Sequence, residues 1–295
     1  MGQTFASLGA QDIRKDSLGT IDFRIQRQLR SYAKADPPPD RVKPVPIQLL
    51  HHALSIAAHN ANSPAIQATV DMAVIAFFFL LRPGEYTGTA KEEQTTPFTF
   101  ADVQLFLGSQ RLILLTASPA DVLAATAASL TFTTQKSGVR GEVVNHSRSG
   151  STHCCPTRAV ARRILHLRLH HAPVSTPLGT YFTPPTPGAP PVARPVTSAD
   201  ISALLRTSAK AIGPSIGLLP KDIQARSLRA GGAMALLCAQ VDSDLIRLLG
   251  RWQSDVMLRY LHLQAQPVMK HFAKRMLTGG NYVLAPGQDI PNFPP

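Results

Sequence analysis

Arginines and a tyrosine near the carboxyl end of the chain stand in an order that could do chemistry on a phosphate. Arg226 and Arg229 are three residues apart, so a helix places both on one face. Arg251 and Trp252 follow, and Tyr260 comes nine residues after Arg251. Guanidinium groups can hold the non-bridging oxygens of a phosphodiester, while a phenolate beside them attacks the phosphorus. The spacing therefore indicates nucleophilic attack on a phosphodiester.

Two further basic residues precede this stretch. Arg82 follows the apolar segment 72–81, so it stands at the rim of a buried helix. By itself it could instead pair with Glu85 or with the negative end of the helix dipole. Lys136 lies in segment 135–144, whose glycines predict a β-hairpin turn. A lysine at such a turn is ordinarily just solvated, so neither residue establishes a function alone.

The order of these residues resembles that of the tyrosine recombinases, the phage-integrase superfamily. The segments SLRAGGAMAL and LGRWQSDVMLRY carry the resemblance, which is greatest to recombinases of eukaryotic mobile elements. It implies that Arg82 and Arg229 hold the scissile phosphate and that Tyr260 attacks it, leaving a 3′-phosphotyrosyl link. It also implies that Lys136 protonates the leaving 5′-oxygen and that no metal or cofactor takes part.

Two positions depart from the family pattern, because Arg226 and Arg251 stand where histidine is usual. An imidazole can accept the proton of the attacking phenol, whereas arginine stays protonated in proteins. Arg226 can still hold the phosphate, and its charge can lower the pKa of the Tyr260 phenol. The indole N–H of Trp252 and the imidazole of His262 are candidate accessory groups.

These departures leave three hypotheses open. The first is a recombinase that integrates or excises a mobile element, and the second is a DNA-binding relic that has lost the chemistry. The third is a basic RNA-binding or interaction protein of helical build. Taken one at a time, the motif residues also have structural explanations. Arg229 could pair with Asp222, and Trp252 and Tyr260 could pack in a core.

The charge of the chain favours a polyanionic partner. Its 295 residues include 30 Lys and Arg against 18 Asp and Glu, giving a formal net charge of +12. Of the basic residues 21 are arginine, which binds phosphate in bidentate geometry better than lysine does. The predicted partner is double-stranded DNA, bound by a homo-oligomer as the resemblance implies. Three cysteines without a disulfide framework favour an intracellular location, nuclear in a eukaryote, and no apolar run is long enough for a membrane span.

The hydrophobic pattern predicts a mainly helical fold with a small antiparallel β-sheet, the α+β class. By resemblance, residues 1–40 are the last part of a helical core-binding domain, with a helix over Thr20–Ala35. Residues 41–280 then form a tyrosine-recombinase-like catalytic domain, and 281–295 a tail. Within the catalytic domain the pattern predicts helices over 47–59, 64–81, 157–171 and 197–212, strands over 98–107, 112–116, 129–134 and 180–182, and otherwise a loop over 172–195. A final helix over 267–277 packs in the same chain or on a neighbouring subunit.

A zinc site is not predicted, although His153, Cys154 and Cys155 are adjacent in the sequence. No second pair of Cys or His lies at ligand spacing. His166 and His170 stand four apart on a predicted helix and could bind a metal in principle. A basic helix surface facing solvent or DNA explains them more simply.

Overall fold

The structure is a computed structural model that describes residues 14–15, 20–23, 25–28, 43–88, 96–133, 141–183 and 190–252. The chain divides into two compact units, residues 1–41 and 42–295. In the first unit, Lys15 and Ile21 form an isolated antiparallel bridge, and residues 23 and 25–28 are helical. The helix predicted to begin at Thr20 therefore begins later. What each of the predicted domains does stays a prediction.

The described residues of the second unit are about half helical and include a small antiparallel sheet, so the predicted α+β class is confirmed. Its helices are α1 Ile47–His59, α2 Pro64–Phe78, α3 Pro83–Tyr86, α4 Pro119–Ala124, α5 Pro156–Leu169, α6 Ser198–Ile212, α7 Ser227–Cys238 and α8 Ser243–Leu249. Its strands are β1 Val103–Leu107, β2 Gln110–Arg111, β3 Ala127–Phe132, β4 Glu142–Ser147, β5 Thr180–Thr183 and β6 Val192–Pro195. Within the described ranges, three short 3₁₀ helices cover Phe100–Asp102, Gly213–Ile216 and Pro220–Asp222.

Helix α2 forms the centre of the core. Ser63 caps it by accepting from the Ile66 N–H at 3.4 Å, and Pro64 takes its first position. Every residue from Ala68 to Phe77 is buried, as expected of a helix that is apolar all round. The helix packs against α1, α5, α6 and α7. The prediction that it runs to Leu81 was wrong, because it ends at Phe78 and the chain turns there.

The main sheet has the strand order β2-β1-β3-β4, with neighbouring strands antiparallel. Val103 pairs with Leu130, and Phe132 pairs with Glu142. A strand over 112–116 was predicted, but the chain leaves the sheet after Arg111 and turns. Leu112 and Leu114 are buried in the core while Ile113 and Leu115 are 72% and 60% exposed, so the run alternates as a strand would but does not pair as one.

A second, two-stranded sheet pairs β5 with β6. The strand predicted over 180–182 is confirmed, but its partner Val192–Pro195 was predicted to be a loop. The prolines beside and within β6 argue against a strand in the middle of a sheet, yet an edge position tolerates them. Here Thr180 pairs with Pro195. Among the described helices, none is long and apolar enough to cross a membrane.

The Gly-Gly pair of α7 allows two backbones to approach this helix closely. A Cβ on Gly231 would lie 2.2 Å from the Val45 carbonyl oxygen, and one on Gly232 would lie 2.2 Å from the Phe77 carbonyl oxygen. The segment before α1 is also bonded to α7, since the Val45 N–H donates to the Ser227 carbonyl at 3.1 Å. The two glycines therefore bring α7, which carries Arg229, against the end of α2.

Candidate active site

The candidate site is built around the turn that follows α2. Leu80 has a positive φ of 51°, and the Leu81 N–H donates back to the Ala76 carbonyl at 3.0 Å. This arrangement is a Schellman motif, which usually places glycine at the left-handed position. Leu80 is fully buried there. The turn places Arg82 directly ahead of α3, so this residue precedes a new helix and does not lie in the last turn of α2.

Arg82 is held by Glu85, the third residue of α3. The Arg82 backbone N–H donates to Oε2 of Glu85 at 2.7 Å, and its Nη1 donates to Oε1 at 3.0 Å. The Arg82 side chain is 31% exposed, whereas that of Glu85 is 2% exposed. Pairing of Arg82 with Glu85, one of its two predicted roles, is confirmed. Its binding of a phosphate stays a prediction.

Arg251 approaches the same carboxylate from the end of α8. Its Nη2 lies 3.3 Å from Oε2 of Glu85 and donates to the Leu80 carbonyl at 3.1 Å. Its Nη1 donates to the Phe79 and Leu249 carbonyls, and the guanidinium carbon lies 3.7 Å from the centre of the Phe132 ring. Burial lowers the pKa of Arg251 to about 10, with Glu85 opposing the shift. Arg251 is thus an internal structural cation in this conformation.

Arg229 is buried beside Arg251 and is 4% exposed. Its Nη1 donates to the Leu80 carbonyl at 2.9 Å and its Nη2 donates to the Gly250 carbonyl. The guanidinium carbon lies 4.2 Å from the centre of the Trp252 ring, a cation–π contact. The alternative pairing with Asp222 is wrong, because Asp222 is bound by Lys43 at 2.8 Å.

Trp252 fills a small core of its own. It is 9% exposed and packs in a cluster with Leu80, Ala233 and Ile246. Gly250 makes this possible, because a Cβ there would lie 1.5 Å from Cζ3 of the indole ring. The structural role considered for Trp252 is therefore confirmed. Its predicted accessory role at a phosphate stays a prediction.

Arg226 lies apart from these buried groups. It precedes the first residue of α7 and is exposed. Within the part of the chain that the structure describes, its guanidinium makes no hydrogen bond or ion pair. Pro83 and Arg226 line the same surface cleft, so Arg226 lies near the start of α3.

Lys136, Tyr260 and His262 lie outside the described residues. The structure does describe both ends of the segment that contains Lys136. Phe132 ends β3 beneath the Arg251 guanidinium, and Glu142 begins β4 near enough to raise the pKa of Arg251 against the effect of burial. The connection between β3 and β4 therefore starts and ends beside Arg251.

Among the predicted site residues, Arg82, Arg229 and Arg251 come together, and we call these three residues with Glu85 the arginine cluster. Glu85 joins two of the arginines, although its side chain was considered only as a partner of Arg82. Its acidic type and its place three residues after Arg82 were the only sequence evidence for it. Three guanidinium groups against one carboxylate leave the cluster positively charged. Such a site can attract and hold an anionic phosphodiester.

The histidines of α5 are bound to protein groups. Nε2 of His166 accepts from the Phe182 N–H at 3.3 Å, and the His170 ring stacks on Phe182. Burial lowers the pKa of His166 to about 4, and the charge of Arg163 acts in the same direction. Within the described ranges, no three His, Cys, Asp or Glu side chains are grouped to hold a metal ion.

The basic face of α5 was explained by exposure to solvent or DNA, and for two of its arginines this was wrong. Nε of Arg162 donates to Oδ1 of the buried Asp71 at 2.8 Å. Arg163 is 2% exposed and donates to the Leu178 and Thr180 carbonyls. These arginines join α5 to α2 and β5. A periodic pattern of charges in the sequence cannot distinguish such buried contacts from a solvated helix face.

No family model matches the chain, and no curated protein matches it.

Proposed function

We propose that this chain is a tyrosine-recombinase-like protein that cleaves and rejoins duplex DNA through a 3′-phosphotyrosyl intermediate. The observation that carries the proposal is the convergence of Arg82, Arg229 and Arg251. Arg229 reaches the Leu80 carbonyl across 149 residues of sequence, and Arg251 reaches Glu85 across 166 residues. Three arginines that the sequence motif selected as site residues thus meet at one turn.

The proposed reaction begins with a DNA phosphate at this cluster. Arg82 and Arg229 bind the non-bridging oxygens and stabilise the negative charge of the transition state. The Tyr260 phenolate oxygen bonds to phosphorus while the bond from phosphorus to the 5′-oxygen breaks, and Lys136 donates a proton to that oxygen. Rejoining reverses these steps with the 5′-hydroxyl of another strand. The phosphotyrosyl bond conserves the phosphodiester energy, so no nucleotide cofactor is required.

The phenol proton of Tyr260 must also be accepted by a base. Arg226 and Arg251 cannot serve, because guanidinium groups stay protonated. His262 is the proposed acceptor, and the positive charge of Arg226 favours ionisation of the phenol. Duplex DNA is the proposed partner, with several copies of the chain acting on it together. In a eukaryote this reaction takes place in the nucleus.

A second candidate function is duplex binding without cleavage. The state of the buried arginines favours it, since Arg229 and Arg251 donate to main-chain carbonyls and are 4% and 6% exposed. Arg229 would bind a phosphate only by exchanging these carbonyl acceptors for phosphate oxygens, a step that binding without cleavage does not require. In this alternative the cluster serves stability, and only the exposed arginines meet DNA.

Trapping on a nicked duplex tests the proposal. The substrate carries a nick beside the cleavage position, so that the cleaved end diffuses away and the covalent adduct persists. The sequence of this substrate is taken from the ends of the DNA element that encodes the chain. We expect an adduct that survives denaturing detergent with the wild type and with Tyr181→Phe, a control tyrosine on β5. No adduct is expected with Tyr260→Phe.

Other outcomes separate the candidates. Salt-sensitive duplex binding without an adduct would favour the binding-only function. Preference for single-stranded RNA over duplex DNA would favour the RNA-binding hypothesis. No binding to either nucleic acid would overturn the proposal.

A further inference from the structure

A surface cleft adjoins the arginine cluster on the side of α6 and α7. Its cavity volume is about 370 Å³. The cleft is lined by Pro83, Ser198, Ser202, Arg206, Gln224 and Arg226, among others. Arg206 has no role in the sequence motif. Serine, glutamine and arginine side chains share this lining with Pro83 and three alanines, and its charged residues are both basic. We call this feature the α6–α7 cleft.

Its two arginines differ from the arginines that pair with buried carboxylates. Arg82 and Arg251 both pair with Glu85, and Arg162 pairs with Asp71. In the described part of the chain, neither Arg206 nor Arg226 forms an ion pair with a carboxylate. Both side chains are exposed. Two uncompensated guanidinium groups in one small cleft attract an anion.

The acidic residues of the surrounding elements are engaged elsewhere. Asp200 is the one acidic residue of α6, and its carboxylate accepts from the Thr197 N–H and hydroxyl at 2.8 and 2.7 Å. Helix α7 contains no acidic residue. Asp222, which precedes α7, is bound by Lys43 at 2.8 Å. The positive charge of the α6–α7 cleft is therefore not neutralised by these neighbours.

The Arg206 side chain is anchored to the main chain through one of its nitrogens. Its Nε donates to the Ile223 carbonyl at 3.1 Å, which anchors one edge of the guanidinium. No described residue accepts from its Nη1 or Nη2. Those two nitrogens form the fork that binds two oxygens of one phosphate.

The position of the cleft indicates which phosphate it would bind. Pro83 lines the cleft and directly follows Arg82, while Arg226 precedes Arg229 by three residues. A nucleic-acid strand carries phosphates at regular spacing, so a strand bound at Arg82 presents neighbouring phosphates along its path.

We propose that Arg206 and Arg226 together bind a backbone phosphate of duplex DNA adjacent to the scissile phosphate. This inference rests on the proposed function and deepens it by adding Arg206 as a DNA-binding residue outside the predicted catalytic set. Contacts to phosphates fix the position of DNA without reading its sequence. Arg206 is therefore expected to bind all duplexes alike and to set the register of the scissile strand.

The test measures the affinity of the full chain for a fluorescently labelled duplex of arbitrary sequence as salt varies. Each phosphate contact contributes about 0.9 to the slope of log K against log[salt]. Arg206→Gln is expected to weaken binding about five- to tenfold and to reduce that slope by about 1. Arg206→Lys retains the charge and should restore most of the slope. Arg111→Gln is the matched control, because Arg111 lines a different cleft beside Ile113 and Leu115.

The outcomes separate this inference from the proposed function. Equal slopes for Arg206→Gln and Arg111→Gln, with strong duplex binding by the wild type, would overturn the cleft site alone. Failure of the wild type to bind duplex DNA would overturn both proposals. If Arg206→Gln reduces the salt slope for single-stranded RNA but not for duplex DNA, the assignment to duplex DNA is overturned. A thermal unfolding midpoint of Arg206→Gln close to that of the wild type must accompany the expected result, because loss of the Ile223 contact could otherwise explain it.

Discussion

Arg229 and Arg251 donate to the same acceptor, the main-chain carbonyl oxygen of Leu80, at 2.9 and 3.1 Å. Leu80 has a positive φ, a conformation that costs a residue with a Cβ about 1–2 kcal/mol. Hydrogen bonds from charged donors each contribute about 1.5–3 kcal/mol, so the two arginines can offset that cost. The shared acceptor joins the end of α2 to both α7 and α8. Arg229, which is proposed to bind phosphate, therefore also holds the fold together.

Glu85 is predicted to be essential to this arrangement. Replacing it with glutamine keeps the shape of the side chain but removes the charge between Arg82 and Arg251. Because the side chains of Glu85 and Arg251 are both 2% exposed, the substitution leaves a buried guanidinium without its counter-ion. We expect Glu85→Gln to lower the free energy of unfolding by about 3 kcal/mol, measured by urea denaturation.

A surface ion pair provides the control for that experiment. Asp244 lies 3.4 Å from Arg247 on α8, and its side chain is 79% exposed. Asp244→Asn is expected to change the unfolding midpoint little, because solvent screens such a pair. Equal effects of the two substitutions would contradict the importance of the buried carboxylate.

Gly250→Ala is predicted to displace Trp252. The added methyl would lie 1.5 Å from Cζ3 of the indole, although the backbone φ of −78° suits alanine. Overpacking of this kind costs about 1–3 kcal/mol. Trp252 is the single tryptophan of the chain, so its fluorescence reports the displacement directly.

Gly108→Ala is the control that separates the effect of steric overlap from that of backbone strain. Gly108 has a φ of 62° and nothing within 4 Å of the added methyl. This variant is expected to lose about 1 kcal/mol of stability through strain alone, without a shift of tryptophan emission. An unchanged emission maximum in Gly250→Ala as well would show that the indole does not pack on Gly250.

The central helix and the order of the arginines could be predicted from the sequence because each has a local pattern. Ten apolar residues in a row require burial, and the Ser63-Pro64 pair has the chemistry of a helix start. The ends of the helices had no such pattern. Leu80, His171, Gln240 and Arg251 all take the left-handed position after a helix, which is usually glycine or asparagine. Tertiary contacts select this conformation, as the arginine bonds at Leu80 illustrate.

The sequence could not predict that two arginines share the Leu80 carbonyl, or that the α6–α7 cleft forms, because both depend on tertiary contacts. The sequence motif predicts roles for Arg229 and Arg251 at a phosphate, but it does not show that both donate to a carbonyl 149 and 171 residues away. Arg206 lies on α6, outside every recognised motif, and only the fold brings it to the cleft with Arg226. Contacts between distant segments depend on packing, which local patterns do not encode.

The stability of the protein is predicted to fall as the pH decreases towards 4 because of His166. Its pKa is about 4 in the folded chain and about 6.5 when unfolded, so the unfolded state binds more protons between these values. The stabilisation is fully present above about pH 6.5 and is lost as the pH falls to about 4. Protonation would also remove the acceptor that Nε2 offers to the Phe182 N–H.

Urea unfolding at about pH 7 and about pH 5 measures this effect. His166→Gln, which can still accept from Phe182, should lose less stability between the two values than the wild type does. Burial also lowers the pKa of His146, which contributes in the same direction and remains in both proteins. An equal loss in the wild type and in His166→Gln would contradict the prediction.

The last prediction concerns the two arginines that replace histidine in the family pattern. Arg226 is exposed and, among the described residues, makes no hydrogen bond or ion pair, so histidine can replace it without loss of stability. If proton transfer to His262 limits cleavage, Arg226→His should provide a second acceptor and speed formation of the covalent adduct on nicked DNA by about 10²-fold. The gain should appear as the pH rises through about 6.5, where a histidine base becomes neutral.

Arg251→His makes the same substitution at the second position where arginine replaces the family's histidine, and it is expected to behave differently. It removes the bonds to Glu85 and to the Phe79, Leu80 and Leu249 carbonyls, so it should lower the unfolding midpoint and should not restore cleavage. Arg226→Gln controls for loss of charge at the exposed position and should weaken DNA binding without any gain in rate. If Arg226→His and Arg226→Gln form the adduct at the same rate, proton transfer does not limit the reaction. The arginines at 226 and 251 would then be adaptations with separate roles, one in binding DNA and the other in holding α8 to the turn at Leu80.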